Sequence, residues 1–350
     1  GGCVVTFRDG GDELAGVFRG VEAISRDSTR AGITVAETRT LVLGDELAAL
    51  AENDERIVVA TADLASANRT REFAERHPGR FFNFGIAEKN MVTACAGMAA
   101  CGFVPYAVTF ASFLALLCAE QIRTDCAFPY LPVRLVGTHS GMSMGFYGTS
   151  HHALEDIAMM RSIADLKVVS AADANQLRAI LRKSVDEEGP IYVRTSRGRD
   201  PEVYSAPPDD LVFGGTSVLR NGSDIALLAT GSTVAPAVAA ADLLARDGIS
   251  ARVIDVYSLS PLDEETIRAA AEETGVVLAV EEHNVTGGLG SAVAEVLAGG
   301  PPVTFVRHGI PDEHVPIGPP TALYAHYRLD ADGIAGVSRE LLEGLRSPAR

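Results

Sequence analysis

The sequence predicts an α/β protein of two doubly wound domains, and three observations predict it. Short unbroken apolar runs, such as residues 57–60 and 276–280, have the length and β-branched content of strands buried on both faces of a parallel sheet. Helical stretches alternate with such runs along most of the chain. A segment rich in proline, aspartate and glycine, 201–215, divides that alternation in two. At 350 residues there is room for two cores, since domains run to roughly 100–200 residues.

Taken in order, residues 1–33 are weakly patterned and read as an N-terminal arm. An amphipathic helix starts at 38–41, runs through Ala51 and stops at the polar residues 52–55. After the strand 57–60, helices near 89–101, 114–126 and 153–164 interleave with strands near 103–108, 133–137, 167–169 and 191–194, giving a first domain over 34–200. Beyond the linker 201–215, a second domain over 216–350 opens with a strand at 225–229 and a helix from 230–232 to about Asp247. Residues 253–256 and 276–280 are further buried strands, and the glycines of 287–291 open another helix. There is no internal repeat and no low-complexity tract.

Thirty Lys+Arg against 46 Asp+Glu leave a net charge of −16. That excludes a general binder of nucleic-acid backbones, which needs a clustered positive surface, but it is compatible with a small anion held by a few local arginines. Cys3, Cys95, Cys101, Cys118 and Cys126 form no CxxC pair and no metal-finger spacing. Cys95, Cys101 and Cys118 lie in apolar runs, so buried free thiols in a reducing compartment are expected. No leader-like start and no apolar run of roughly 18 residues is present, and the expectation is a cytoplasmic protein.

The most informative stretch is 81–91, where Phe81, Phe82 and Phe84 lead through Gly85, Ile86 and Ala87 to Glu88, at the head of a helix rich in Ala and Gly. A carboxyl in an apolar, dry setting acts on a hydrogen-bond partner far more strongly than in water. The blander reading is that the dipole of any helix start favours a glutamate. Phe110 and Phe113, three apart, suit either a core or a platform for a flat ring. Asp63 follows the first strand at its carboxyl end, where open α/β sheets place their ligand crevice, or it caps a following helix.

Segment 137–156 combines glycines at 137, 141, 145 and 148, a mobile or closely packed loop, with His139, His151 and His152. Imidazoles exchange protons near neutral pH, whereas a zinc site lacks a third ligand at a convincing spacing. His152 equally caps a helix or packs. Arg39, Arg194 and Arg197 are forked cations suited either to bidentate phosphate binding or to ordinary ion pairing. The glycines of 287–291 permit a tight strand-to-helix turn, and a lone glycine motif is a weak sign of nucleotide binding.

The run from Asn83 to Met91, with Phe110, Phe113 and the His139–His151 loop behind it, resembles the pyrimidine-binding domain of the transketolase and deoxyxylulose-phosphate synthase family. Residues 280–291 resemble that family's C-terminal domain, and the resemblance covers nearly all of 35–345. It implies thiamine diphosphate as cofactor, with Glu88 touching the aminopyrimidine ring and starting its activation. It implies Phe110 and Phe113 stacked on that ring and Asp63 near the cofactor. On the substrate side it implies His139 on a phosphate, His151 facing the reacting carbonyl and hydroxyls, and Arg197 and Arg39 clamping the terminal phosphate, with Arg194 competing for the role of Arg197. Three positions depart from the family pattern. Leu116 stands where a third aromatic is common, Ala67 where a serine often contacts phosphate, and Tyr147 where an acidic residue reads hydroxyl stereochemistry. Tyr147 therefore faces the substrate and puts the usual sugar-phosphate specificity in question. The C-terminal domain is expected to support a subunit interface and to carry no catalysis.

Full-length relatives also carry a diphosphate-binding domain whose Gly-Asp-Gly segment and downstream Asn hold Mg²⁺. Here Asp9, Gly10, Gly11 and Asp12 lie in the arm without a following βα unit, so no metal ligand is expected on this chain. The resemblance thus implies the C-terminal subunit of a split transketolase. Its partner would be an N-terminal diphosphate-binding subunit, the assembly an α₂β₂ heterotetramer, and the cofactor with Mg²⁺ would sit between the two chains. The reaction would move a two-carbon ketol unit from a ketose or ketose phosphate to an aldehyde. A deoxyxylulose-phosphate-synthase-like activity and the β subunit of a 2-oxo acid dehydrogenase are the neighbouring alternatives. A non-catalytic assembly or regulatory subunit is the alternative of another class, opposed by Glu88 and kept open by Ala67 and Tyr147.

Overall fold

The computed structural model describes residues 42–198 and 200–346. The expected N-terminal arm, Cys3 and Arg39 lie outside them. Chain order begins α1 (Leu43–Ala51), β1 (Ile57–Thr61), α2 (Arg71–Arg76), β2 (Phe81–Asn83), α3 (Glu88–Ala100), β3 (Val104–Phe110) and α4 (Ala111–Gln121), which runs on into a π-helical turn at Ile122–Ala127. It continues with β4 (Arg134–Thr138), α5 (Asp156–Arg161), β5 (Lys167–Ser170), α6 (Ala174–Ser184) and β6 (Ile191–Arg194). The second half is β7 (Ser217–Arg220), β8 (Ile225–Ala229), α7 (Val234–Arg246), β9 (Ala251–Asp255), β10 (Ser258–Ser260), α8 (Glu264–Thr274), β11 (Val276–Asn284), α9 (Leu289–Leu297), β12 (Thr304–Ile310), α10 (Pro320–His326) and α11 (Ala331–Arg346).

Two sheets result, of order β10-β5-β6-β4-β3-β1-β2 and β12-β11-β8-β9-β7. Both are parallel except where β10 meets β5 and β7 meets β9. The two-residue side-chain period of β3 explains the layering. Val104, Tyr106 and Val108 pack with α1 and α6 residues such as Leu47 and Ile180, while Ala107 packs on the other face with Met91, Leu114 and Cys118 of α3 and α4. That second layer continues into Ala226, Leu228, Val277 and Ala279 of the other sheet, so one apolar layer runs through both halves.

Segment 201–215, rather than swinging free, is strapped down. Asp173, the N-cap of α6, accepts from the backbone N–H groups of Val203 and Tyr204 at 2.7 and 2.8 Å. The Tyr204 hydroxyl donates to Asp255 at 2.6 Å. The strand β10 then returns from beyond this segment to edge the first sheet. Two details differ from expectation. Cys101 is exposed, because it follows the last turn of α3 rather than lying inside it. Phe82 is 37% exposed, because β2 is the outermost strand of its sheet. Among the described residues no helix is long and apolar enough to cross a membrane.

Candidate active site

Parallel pairing brings the carboxyl ends of β1, β2, β3 and β4 to one edge of the first sheet, with Thr61 opposite both Asn83 and Val108, and Phe110 opposite Thr138. Every described candidate hangs from that edge or from the loops beyond it. The Asn83 side-chain oxygen accepts from the N–H groups of Asp63 and Gly85, each at 3.0 Å, and so fixes the turn that leads into α3. Gly85 has φ +67°, a left-handed value that favours glycine. Asp63 is also left-handed at +58°, a conformation Asp adopts more readily than most residues. Turns follow Asp63, and the next helix, α2, takes Thr70 as its N-cap, so Asp63 caps nothing.

Glu88 is the first residue of α3 and only 7% exposed. The N-cap position belongs to Ala87, and no hydrogen bond joins the Glu88 carboxylate to a described residue, so its role is not capping. It looks across to α4, where burial, reinforced by the Glu88 charge, pushes the Cys118 thiol up to about 12. The Glu88 carboxylate oxygens are not among the fully buried polar atoms, so they remain open to a binding partner.

The helix α4, on which α3 packs, contributes Phe113 to a cluster of rings. Phe110 and Phe113 lie 5.6 Å apart at 40°, Phe113 meets His151 at 5.2 Å, and His151 meets Tyr147 at 4.9 Å. Phe110 also packs on His139 at 4.4 Å. Glycines close this loop tightly. A Cβ on Gly141 would strike the Glu282 carboxylate, and one on Gly145 the carbonyl of Gly318, so of the two readings the loop is packed.

His139 is held by a buried relay absent from the sequence reading. The Asn68 amide donates to the carbonyl of Val108 at 3.3 Å, leaving its oxygen to accept from the Thr138 hydroxyl at 2.8 Å. The Thr138 oxygen then accepts from Nδ1 of His139 at 2.9 Å. This sets the ring as the Nδ1–H tautomer with Nε2 as an acceptor. Burial, then the charges of Arg197 and His151, pull its pKa down to about 4, so the ring is neutral at pH 7. Its backbone is left-handed at φ +56°, a strained value of the kind that collects at functional sites. His151 is half-buried, with Nδ1 2.9 Å from the Ser150 hydroxyl. His152 packs into the interior, where burial lowers its pKa.

The two described arginines part company. Arg194 is 1% exposed and bonded at 2.8 Å to Asp156, itself 1% exposed, which removes Arg194 from contention for substrate. Arg197 is exposed and, with Tyr147, lines a cavity of about 740 Å³. The sequence signalled neither that cavity nor the Asn68–Thr138 relay. Only Asn83, inside the motif already noted, had a local sign. Among the described residues no group of three or more His, Cys, Asp or Glu is placed to hold a metal ion. The arrangement suits a flat heteroaromatic ring set against the phenylalanines, with a ring nitrogen offered to Glu88.

Comparison with known proteins shows the family. Residues 36–201 match the transketolase pyrimidine-binding domain and residues 214–334 the transketolase C-terminal domain. The chain is 38% identical to one subunit of the apulose-4-phosphate transketolase of Phocaeicola vulgatus, over 85% of this chain and 96% of that protein. It is 36% identical to a 6-deoxy-6-sulfo-D-fructose transketolase subunit of Clostridium sp. MSTE9, over 85% and 92%. A 1-deoxy-D-xylulose-5-phosphate synthase of Geobacter sulfurreducens is 38% identical over 90% of this chain but 50% of its own length. A split-gene transketolase solved as an inactive β4 tetramer superposes with a TM-score of 0.79 at 40% identity, over 86% of this chain and 96% of that one. The chain belongs to the transketolase family, whose members depend on thiamine diphosphate, and it carries that family's pyrimidine-binding and C-terminal domains.

Proposed function

We propose that this chain is the C-terminal subunit of a split transketolase, moving a two-carbon ketol unit from a ketose or ketose phosphate to an aldehyde. The observation that carries the proposal is Glu88, a largely buried residue whose carboxylate has no described hydrogen-bond partner, at the head of the helix α3 that packs against α4, the helix carrying Phe113. Glu88, Phe110 and Phe113 fit the aminopyrimidine half of thiamine diphosphate. When bound, that cofactor supplies the carbanion chemistry that a protein side chain cannot.

The chain's own residues bind and orient. Glu88 holds a proton at the pyrimidine nitrogen, and its dry setting strengthens that bond. Phe110 and Phe113 fix the plane of the ring, and Asp63, at the end of β1, lies toward the cofactor. His151, which contacts Ser150, Phe113 and Tyr147, would exchange a proton with a substrate hydroxyl, work an imidazole can do near neutral pH. Neutral His139 accepts a hydrogen bond through Nε2, a form better suited to a hydroxyl than to a phosphate dianion. Arg197 and Arg39 are the candidates for the terminal anion of a phosphorylated donor, and Tyr147 for contact with the substrate body.

The diphosphate and Mg²⁺ fall to a separate N-terminal subunit, in an α₂β₂ assembly working in the cytoplasm. Similarity to separately encoded transketolase subunits across nearly their whole length supports this, as do the exposed apolar side chains of Ile86, Leu116 and Leu117 on α4 and the turn before α3. The second reading, a deoxyxylulose-phosphate-synthase-like activity, is favoured by the match to those synthases. Calorimetric titration of thiamine diphosphate with Mg²⁺ tests the shared site. Saturation only when the chain is mixed with its N-terminal partner is expected, and tight binding to the isolated chain overturns it. Turnover with ketose rather than pyruvate as donor separates the two readings.

A further inference from the structure

The cavity of about 740 Å³ falls within the roughly 300–1,000 Å³ of small-molecule pockets. It lies between the 143–147 loop, residues 196, 197, 200 and 201, the start of α7 and residues 320–331, and it shares Tyr147 with the ring cluster. Tyr147 belongs to both, lining the cavity while its ring meets His151 at 4.9 Å. Arg197 lines it too, close enough to His139 to depress that ring's pKa.

Arg197 and the hydroxyls of Ser143, Ser196, Ser232 and Thr321 give the described wall its polar side, and the rest is mostly carbon or acidic. Met144, Phe146, Ala235, Pro236 and Ala239 present carbon surface. The Tyr324 hydroxyl is engaged with Ser232 and Glu282, so its ring is what remains for the cavity. Against the single cation Arg197, the described lining sets two acids, Asp200 and Asp330. Among the described lining residues, a phosphate dianion would meet more negative than positive charge. An uncharged chain or ring would instead bury carbon against carbon.

We propose that this cavity receives the distal end of the aldehyde acceptor, and that the preferred acceptor is uncharged with an apolar body. The inference rests on the ketol-transfer reading and specifies its substrate class. In the transfer the C2–C3 bond of the ketose breaks, and C2 forms a new bond to the aldehyde carbon of the acceptor. C3 of the donor leaves as the carbonyl of a shortened aldehyde. The proton of its hydroxyl is balanced by the one gained on the acceptor oxygen, so no oxidant or reductant is required.

The test uses the chain reconstituted with its N-terminal partner and cofactor, erythrulose as donor, and three acceptors: propanal, 3-phenylpropanal and glyceraldehyde 3-phosphate. The expected kcat/KM for 3-phenylpropanal exceeds that for the phosphate by roughly tenfold or more. Ala239 is exposed on α7 within the cavity wall, so Ala239→Phe fills space without entering the core. It should cost roughly tenfold with 3-phenylpropanal and leave propanal within about twofold, and Ala235→Leu should act in the same sense if Ala239→Phe fails to fold. A preference for glyceraldehyde 3-phosphate, or equal effects of the variant on both aldehydes, overturns the proposal. If no acceptor is turned over, the ketol-transfer reading falls by itself. The cavity is then judged by NMR-detected binding of 3-phenylpropan-1-ol: saturable binding lost in Ala239→Phe upholds its apolar ligand class, and absence of binding overturns it.

Discussion

Two regions of this molecule bury acids and histidines, and they treat them in opposite ways. Along β11 and the end of β9, the buried groups are met by donors from both halves of the chain. Glu281 accepts from the N–H groups of Leu289 and Gly290, capping α9, and Glu282 accepts from Met142 N–H at 2.6 Å and the Ser232 hydroxyl at 2.5 Å. His283 has Asn284 O at Nδ1 and the Ala158 N–H at Nε2. At the carboxyl edge of the first sheet, Glu88 has no described partner, and the His139 relay leaves Nε2 as an acceptor. An acid held by several donors fixes a structure, whereas one that no described donor meets is held ready for something that binds.

The largest break of this contrast lies in the first kind of region. Arg194→Met leaves the buried Asp156 carboxylate with only the Tyr192 hydroxyl as a described donor and removes donors from the carbonyls of Ala153 and Glu282. It should cost about 3–5 kcal/mol in urea unfolding. A midpoint like that of the parent would mean that the pair stabilises nothing. Glu88→Gln is the mirror experiment. Turnover of the reconstituted enzyme should fall by about 10²–10³-fold, the scale of losing a preorganised polar contact in a dry site. Stability should hold, because the carboxylate makes no hydrogen bond to a described residue that the amide would lose. Loss of stability together with loss of turnover would place Glu88 with the structural acids.

The same contrast marks what could be read from the sequence. Strands buried on both faces were legible because nothing but apolar side chains suits them, and residues 225–229 reappear unchanged as β8. The short strands β2, β7 and β10 were not, since each sits at a sheet edge, and β10 joins the first sheet from beyond the strap at 201–215. Glu88 stood out through the motif around it, and Phe110, Phe113, Tyr147, His139 and His151 do converge in space. The Thr138–Asn68 bond spans 70 residues and exists only because β3 and β4 pair in one register. No local pattern encodes such a bond. The cavity wall is likewise built from segments far apart in the chain, and a lone Ala239 carries no sign of it.

A subtler test uses pH. Burial pushes Asp255 and Glu281 up to about 7 and pulls His139 and His283 down to about 4. An acid raised on folding favours the fold at a pH below its unfolded value near 4, and that support is lost as pH rises through about 7. A histidine lowered on folding favours the fold above about 6.5, and its support is lost as pH falls through about 4. The two trends oppose each other across the same window, so the stability of the parent should vary little between about pH 5 and 7. Asp255→Asn mimics the protonated acid and keeps an acceptor for Gln176 and Tyr204. With the acid's trend removed, the variant's stability relative to the parent should climb with pH across that window, by up to about 1.4 kcal/mol per pH unit. Parallel profiles would mean that Asp255 is already ionised in the fold.

The smallest effect tests the relay itself. Thr138→Val keeps the shape of the side chain but removes both the acceptor for His139 Nδ1 and the donor to Asn68. One net hydrogen bond is worth about 0.5–1.5 kcal/mol, so kcat/KM should fall by roughly 2- to 12-fold. Freed from the relay, the ring can take the other tautomer and present Nε2–H to the substrate. A phosphorylated acceptor should then lose less than an uncharged one, a reversal that a packing defect alone would not produce. If both acceptors fall equally, Thr138 only packs, and the difference between the site and the buried acids of β11 no longer extends to His139.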